Sequence, residues 1–246
     1  MAIIQAVDAT LDYPLYTNTS RSVKNVVLQA TTGGRIAHEA GKKAYVRSLD
    51  GISFKIEPGE RVGLIGHNGS GKSTLLRALA GVYTPTSGTL EVQGRVVSLL
   101  DINLGMDPDA TGYENIMLRG IIMGLTPAQV RAKVDEIAEF TDLGEYLEMP
   151  LRSYSSGMQM RLAFTIATSV EADILLMDEW LAVGDAAFQA KAAKRLNDFI
   201  SRAAILVIAT HSMDLLHSVC NRVIELNHGR ILSDREIVST AAAMAS

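Results

Sequence analysis

Apolar and polar positions along this chain follow two rhythms, one of period two and one of helical spacing. Alternating or unbroken apolar runs over 3–11, 44–56 and 89–100 predict strands, several of them bounded by glycine or proline. The short run Arg61-Val62-Gly63-Leu64-Ile65 suits a buried strand, and the turn Glu57-Pro58-Gly59-Glu60 feeds it. Residues 73–80 have helical spacing, with Gly81 as the stop. From 111 to 167 the pattern is mostly helical, and Thr126-Pro127 supply a cap and a first position. Strand-like runs return at 173–177, 204–209 and 222–226, separated by helical stretches such as 184–200. Strands alternating with helices predict an α/β core with a largely parallel sheet. The helical block in mid-chain contains no strand-like run, so it is expected as a subdomain inserted into that core. No internal repeat and no low-complexity segment is visible.

Chemistry enters between the run at 61–65 and the helix after it. Gly66-His67-Asn68-Gly69-Ser70-Gly71-Lys72-Ser73-Thr74 is a complete Gly-x4-Gly-Lys-Ser phosphate-binding loop. Its glycines let successive backbone N–H groups turn inward on an anion. Lys72 can reach the β- and γ-phosphates, and the Ser73 hydroxyl can ligate Mg²⁺. A strand, a glycine loop and a helix whose N-terminus faces the loop together make an anion site. Further on, Ile174-Leu175-Leu176-Met177-Asp178-Glu179 reads as a central strand with an acidic pair at its carboxyl end, the edge where open α/β sheets bind ligands. Asp178 is placed there to hold Mg²⁺ and Glu179 to orient or deprotonate an attacking water. Taken alone, that pair reads as solvated acids at a strand end; the phosphate loop upstream decides for the functional reading.

Composition narrows the field. The 23 Lys and Arg against 27 Asp and Glu give a net charge of −4, which offers no sign of a nucleic-acid partner. The single cysteine, Cys220, excludes an internal disulfide and a cysteine-rich metal site, and suits a reducing compartment. Positions 1–8 lack the basic start and apolar core of a secretion signal, and no stretch approaches the ~18 apolar residues of a membrane span. The expectation is a soluble protein of the cytoplasm that reaches a membrane only through a partner.

Ser153-Tyr154-Ser155-Ser156-Gly157-Met158-Gln159 opens a helix with small hydroxyl residues, so its first N–H groups are free to meet an anion. Lying just upstream of the acidic strand, it resembles the signature motif of the ATP-binding cassette (ABC) ATPases. Ser155 and Gly157 match two signature positions; Ser156 stands where a glycine usually lies, and Met158 replaces the glutamine. The resemblance covers nearly the whole chain. It implies a RecA-like parallel-sheet core with an antiparallel β subdomain and an inserted α-helical subdomain. It further implies one cassette domain over 1–246: a nucleotide-binding core over about 1–100 and 166–235, a helical signature subdomain over about 101–165, and a short tail over 236–246. ATP and Mg²⁺ are the implied ligands, and hydrolysis of ATP the implied activity.

Several residues take roles from that resemblance alone. His211, after the run 204–209, resembles the switch histidine that contacts the γ-phosphate and the catalytic water. Asp185 matches the aspartate of a dimer-interface loop. Tyr13 is a candidate adenine-stacking aromatic, with Tyr16 as its rival. The family's glutamine between sheet and helical subdomain is missing, and Asp101 or Asn103 is the polar substitute near Mg²⁺. The segments around Tyr154, Trp180-Leu181-Ala182-Val183-Gly184-Asp185 and Gly112-Tyr113-Glu114-Asn115-Ile116 are similar to the ATPase subunits of bacterial polysaccharide exporters for O-antigen, capsule or teichoic acid. That branch implies a homodimer at the cytoplasmic face of the inner membrane, a separate integral membrane permease, and a lipid-linked polysaccharide as cargo. Two alternatives stand beside it: an exporter of lipid or drug, and a non-transport, nucleotide-gated regulatory module. The stretch 17–43, with Arg21, Lys24, Arg35, Lys42 and Lys43 against Glu39, is either a solvated loop or an element facing lipid headgroups or an anionic substrate. The residues after Arg230 are too few for an added carbohydrate-binding domain.

Overall fold

The computed structural model describes residues 2–14, 35–37, 45–178 and 186–237. They form two compact units, one from the described residues within 1–94, 176–179 and 204–246, the other from those within 95–175 and 180–203.

The first unit holds an antiparallel sheet of order β2-β3-β1-β5, built from β1 (Ile3–Pro14), β2 (Arg35–Ala37), β3 (Tyr45–Ile56) and β5 (Ser87–Gln93). β1 and β3 bury Ile4, Leu11, Leu49, Ile52, Phe54 and Ile56, with strict alternation over 52–56 and bulges elsewhere in the pair. The same unit carries a mainly parallel sheet in which β4 (Arg61–Ile65) lies between β8 (Ile205–Ala209) and β9 (Arg222–Asn227). β7 (Ile174–Asp178), of which 176–178 fall in this unit, follows β8 in order, and β10 (Arg230–Glu236) pairs antiparallel with β9 at the far edge. Every residue of β8 is buried, as are the first four of β7, which suits strands covered on both faces. Helices α1 (Lys72–Leu79) and α7 (Met213–Val219) belong to this unit.

The single strand expected over 89–100 is two. Gly94, at φ 117°, ends β5, and β6 (Val96–Ser98) opens the second unit. Beyond it come α2 (Gly112–Ile122), α3 (Pro127–Arg131), α4 (Val134–Thr141), 3₁₀ turns at Gly144–Glu148 and Leu151–Ser153, α5 (Ser156–Thr168) and α6 (Ala186–Arg202). Reciprocal capping boxes start two of these helices, Thr111 with Glu114 and Thr126 with Gln129, the latter with Pro127 at the first position as expected. Phe140, Phe164 and Phe188 meet edge to face in the middle of this unit. No helix among the described residues is long and apolar enough to cross a membrane.

Candidate nucleotide site

The site begins where β4 ends. Val62, Gly63 and Leu64 run parallel to both β8 and β9, so the chain leaves the sheet at Ile65 with its backbone fixed on two sides. It turns at once through Gly66, at φ 145°, where a Cβ would fall 2.2 Å from the Leu226 carbonyl oxygen and 2.6 Å from Ser70 Oγ. Only glycine fits that corner. Gly69 (φ 78°) and Gly71 (φ 110°) complete the wrap, and Gly71 caps α1 without a side chain of its own. The free N–H groups at the start of α1 are thus presented by the loop itself.

Lys72 is only 8% exposed. Its ammonium donates to the carbonyls of Gly66 (2.7 Å) and His67 (3.2 Å), so it spans the loop it belongs to. Ser70 Oγ is buried and has no hydrogen-bond partner, an orphaned polar atom inside the cradle. Ser73 Oγ donates to Asp178 Oδ2 at 2.8 Å across 105 positions of sequence. A hydroxyl and a carboxylate oxygen side by side suit a small, hard cation such as Mg²⁺, which takes few protein ligands and keeps several waters. The donor set therefore fits the metal that the motifs imply.

Other residues frame the loop. Tyr13, at the end of β1, sits edge to face with Tyr83 at 5.3 Å and is hydrogen-bonded to Thr74. Burial is the main cause that pushes its phenol up to about 12, with the Thr74 contact working the other way. His211 is exposed just beyond β8, where the N–H of Thr210 donates to the Leu64 carbonyl (3.3 Å). It thus leaves the sheet at the same edge as the phosphate loop.

One contributor escaped the sequence reading. The β9–β10 turn braces the loop: Gly229 N–H donates to the Ser70 carbonyl (2.9 Å), and His67 Nε2 lies 3.2 Å from Asn227 Oδ1. The rings of His67 and His228 are 4.7 Å apart. The signal was present, since Asn227-His228-Gly229 separates two alternating runs as a hairpin turn does.

In the second unit Ser155 caps α5, accepting from the Met158 N–H (3.3 Å). Ser155 and Ser156 are exposed, and a Cβ on Gly157 would approach only Ser155 Oγ, at 3.9 Å. The helix start is therefore open above its glycine. Gln159 does not take the place of the missing signature glutamine; its amide points to the Leu151 (3.3 Å) and Tyr154 (3.5 Å) carbonyls. The branch-typical residues upstream are structural. Buried Asn115 accepts from the Asp107 N–H and donates to the carbonyls of Asp107, Ala110 and Thr111, fixing the turn before α2. Gly112 leaves room for Tyr154, whose hydroxyl would lie 2.4 Å from a Cβ there and donates to the Tyr146 carbonyl. Asp101 is exposed in a turn of the same unit. Glu179 and Asp185 lie outside the described residues, as do Tyr16 and most of 17–43, of which Arg35–Ala37 forms the edge strand beside β3.

Loop, strand-end carboxylate and parallel sheet define a phosphate-loop nucleoside triphosphatase of the α/β class, with an inserted helical unit. The sequence matches the ABC transporter family model over residues 49–182, more than half its length. The chain belongs to the ABC transporter family, as its ATP-hydrolysing cassette. It is 46% identical to the O-antigen export system ATP-binding protein RfbE of Yersinia enterocolitica, across 92% of this chain and 95% of that protein. It is 38% identical to the teichoic acids export ATP-binding protein TagH of Listeria innocua, across 89% of this chain but 63% of TagH. Among solved structures, a dimeric ATP-binding cassette in a post-hydrolysis state with ADP and phosphate superposes with a TM-score of 0.67 at 19% identity, covering 95% of this chain and 98% of that one. That likeness concerns the fold.

Proposed function

We propose that this chain is the ATPase subunit of a bacterial exporter of lipid-linked polysaccharide. It acts as a homodimer on the cytoplasmic face of the inner membrane, beneath a separate permease. The observation that carries the cargo is the near end-to-end likeness to an O-antigen export ATP-binding protein. The observation that carries the chemistry is the Ser73–Asp178 contact at the mouth of the phosphate loop.

In this reading the backbone of 66–74 cradles the phosphates of ATP. Lys72 exchanges its hydrogen bonds with Gly66 and His67 for phosphate oxygens, so binding re-aims a charge already in place. Ser73 and Asp178 would hold Mg²⁺, which would neutralise charge on the phosphates; Asp101 is a further polar group assigned to it. Glu179 orients the attacking water, and His211 positions water and γ-phosphate together. Tyr13, anchored by Thr74 and Tyr83, offers a ring to the adenine. Ser155, Ser156 and Gly157 of a second protomer present the open start of their helix to the γ-phosphate, and Asp185 lies in the loop between protomers. Because the signature donors arrive only on dimer closure, ATP favours the closed state and hydrolysis reopens it.

The experiment is replacement of the cellular copy by Glu179→Gln. Purified variant retains ATP binding while turnover falls by about 100-fold or more, the scale of losing a water-orienting group. Cells are expected to keep making polymer yet lose it from the surface, read by glycan labelling of intact cells beside lysates. Normal surface glycan would reject polysaccharide as the cargo and turn attention to lipid or drug export.

A further inference from the structure

The second unit contains a cleft of about 340 Å³ that the nucleotide chemistry does not use. Its wall is one face of α6, where Lys191, Lys194, Arg195, Asp198 and Arg202 recur at helical spacing. Lys133 and Glu136 at the start of α4, and Thr168 and Ser169 at the end of α5, close the other sides. The lining holds five cations, Lys133, Lys191, Lys194, Arg195 and Arg202, against two acids, Glu136 and Asp198. This local excess stands on a chain whose net charge is −4.

Two of these cations, Arg195 and Lys191, are held in place. The Arg195 side chain is 14% exposed; its Nε donates to Thr168 Oγ1 (2.8 Å) and its Nη2 to Glu136 Oε1 (2.9 Å). Its guanidinium lies 4.4 Å from the centre of the Phe140 ring, and Lys191 Nζ lies at 4.4 Å from the same ring while donating to the Phe140 carbonyl (3.0 Å). Attraction to the ring face, with Glu136 and the Phe140 carbonyl, offsets the repulsion between these two cations and holds them side by side. Their position is already fixed before any ligand arrives, so little side-chain entropy remains to be lost on binding. A concave wall with an excess of cations also focuses its field on an incoming anion.

We propose that this cleft is a second anion site, shaped for a phosphate- or diphosphate-bearing group. Its volume falls at the small end of ligand pockets, roughly 300–1,000 Å³, which suits a phosphorylated headgroup and not a whole nucleotide with its base buried. Lys191, Lys194 and Arg195 supply the first contacts; Lys133 and Arg202 raise the local potential. The site lies wholly within the second unit and uses no residue of the phosphate loop.

The test is residue-resolved amide NMR of the full chain, titrated with pyrophosphate in one arm and with phosphatidylglycerol nanodiscs in another. Saturable shifts at Thr168, Ser169 and Arg195 are expected, distinct from those at 66–74. In the Lys191→Gln/Lys194→Gln protein the same shifts should need on the order of tenfold more ligand, as two charge-assisted contacts are lost. Both lysines are exposed, and an unchanged ATPase rate verifies that the variant is folded. A response to pyrophosphate identifies a soluble phosphate group as sufficient, and a response to nanodiscs alone identifies a lipid headgroup; either supports the site. No shift at the cleft in either arm, or shifts that survive the double substitution, would overturn it.

Discussion

Ser73 and Asp178 join two motifs through a single 2.8 Å hydrogen bond, and the strength of this pair as a cation site can be measured. Asp178→Asn keeps the shape and removes the charge. Hydrolysis is expected to fall by about 100-fold or more, with half-maximal Mg²⁺ displaced upward, while ATP still binds. A Mg²⁺ titration of the steady-state rate checks this, and an unchanged profile would remove Asp178 from the metal. Cys220 gives a contrasting residue-scale expectation. It is fully buried, and burial pushes its thiol up to about 12, so at pH 8 it stays protonated as well as inaccessible. A thiol-reactive dye should label it only after denaturant is added. Rapid labelling of native protein would place the sulfur nearer to solvent than the buried end of α7.

Among elements, the link between β3 and the β9–β10 hairpin holds the back of the phosphate loop. Asp50 N–H donates to the Gly229 carbonyl (2.9 Å), and the Asp50 carboxylate accepts from Arg230 (2.7 Å) and Arg47 (3.3 Å). The Arg230 hydrogen bond, assisted by Arg47, keeps the Asp50 carboxyl below its ordinary value of 3.8. A depressed carboxylate contributes stability that is complete above its unfolded pKa and is lost as pH falls through the folded one. The acid limb of the stability curve should therefore fall below pH 3.8 in part through Asp50. In Asp50→Asn, denaturant midpoints at neutral pH drop modestly, and the difference from wild type shrinks as the pH is lowered. A difference that stays constant with pH would show that the ion pairs contribute nothing. Helix starts at Thr111 and Thr126 were legible beforehand because a capping box closes within four residues. The end of β5 was not, because the alternation of Leu90, Val92 and Val96 continues across Gly94, whose positive φ only the fold requires.

At the scale of the molecule, the signature helix start in the second unit is exposed and lacks a Cβ above it at Gly157. In the proposed function, a second protomer's γ-phosphate is the anion that meets it. Glu179→Gln protein with ATP and Mg²⁺ is expected to run as a dimer by light scattering, because the closed state cannot be reset. Ser155→Arg should weaken that dimer by placing a large side chain on that face. A constant monomer at saturating ATP would count against a composite site.

The sequence by itself determined whatever closes over a few residues. That includes the wrap of 66–74, the cap of Ser155, the apolar strand ending in Asp178, and the alternation that makes an α/β core. These depend on local dihedrals, short hydrogen bonds and periodicity, all written in neighbouring letters. Only the tertiary structure decided which distant pieces meet. It set Ser73 on Asp178, Tyr13 on Thr74, and Asn227 and His228 against His67. It also gathered cations from two helices, unremarkable one by one, into one cleft, with Lys191 and Arg195 on Phe140. Such contacts depend on register and packing across the whole chain, where the same residue types could equally face solvent, and no local pattern distinguishes the two.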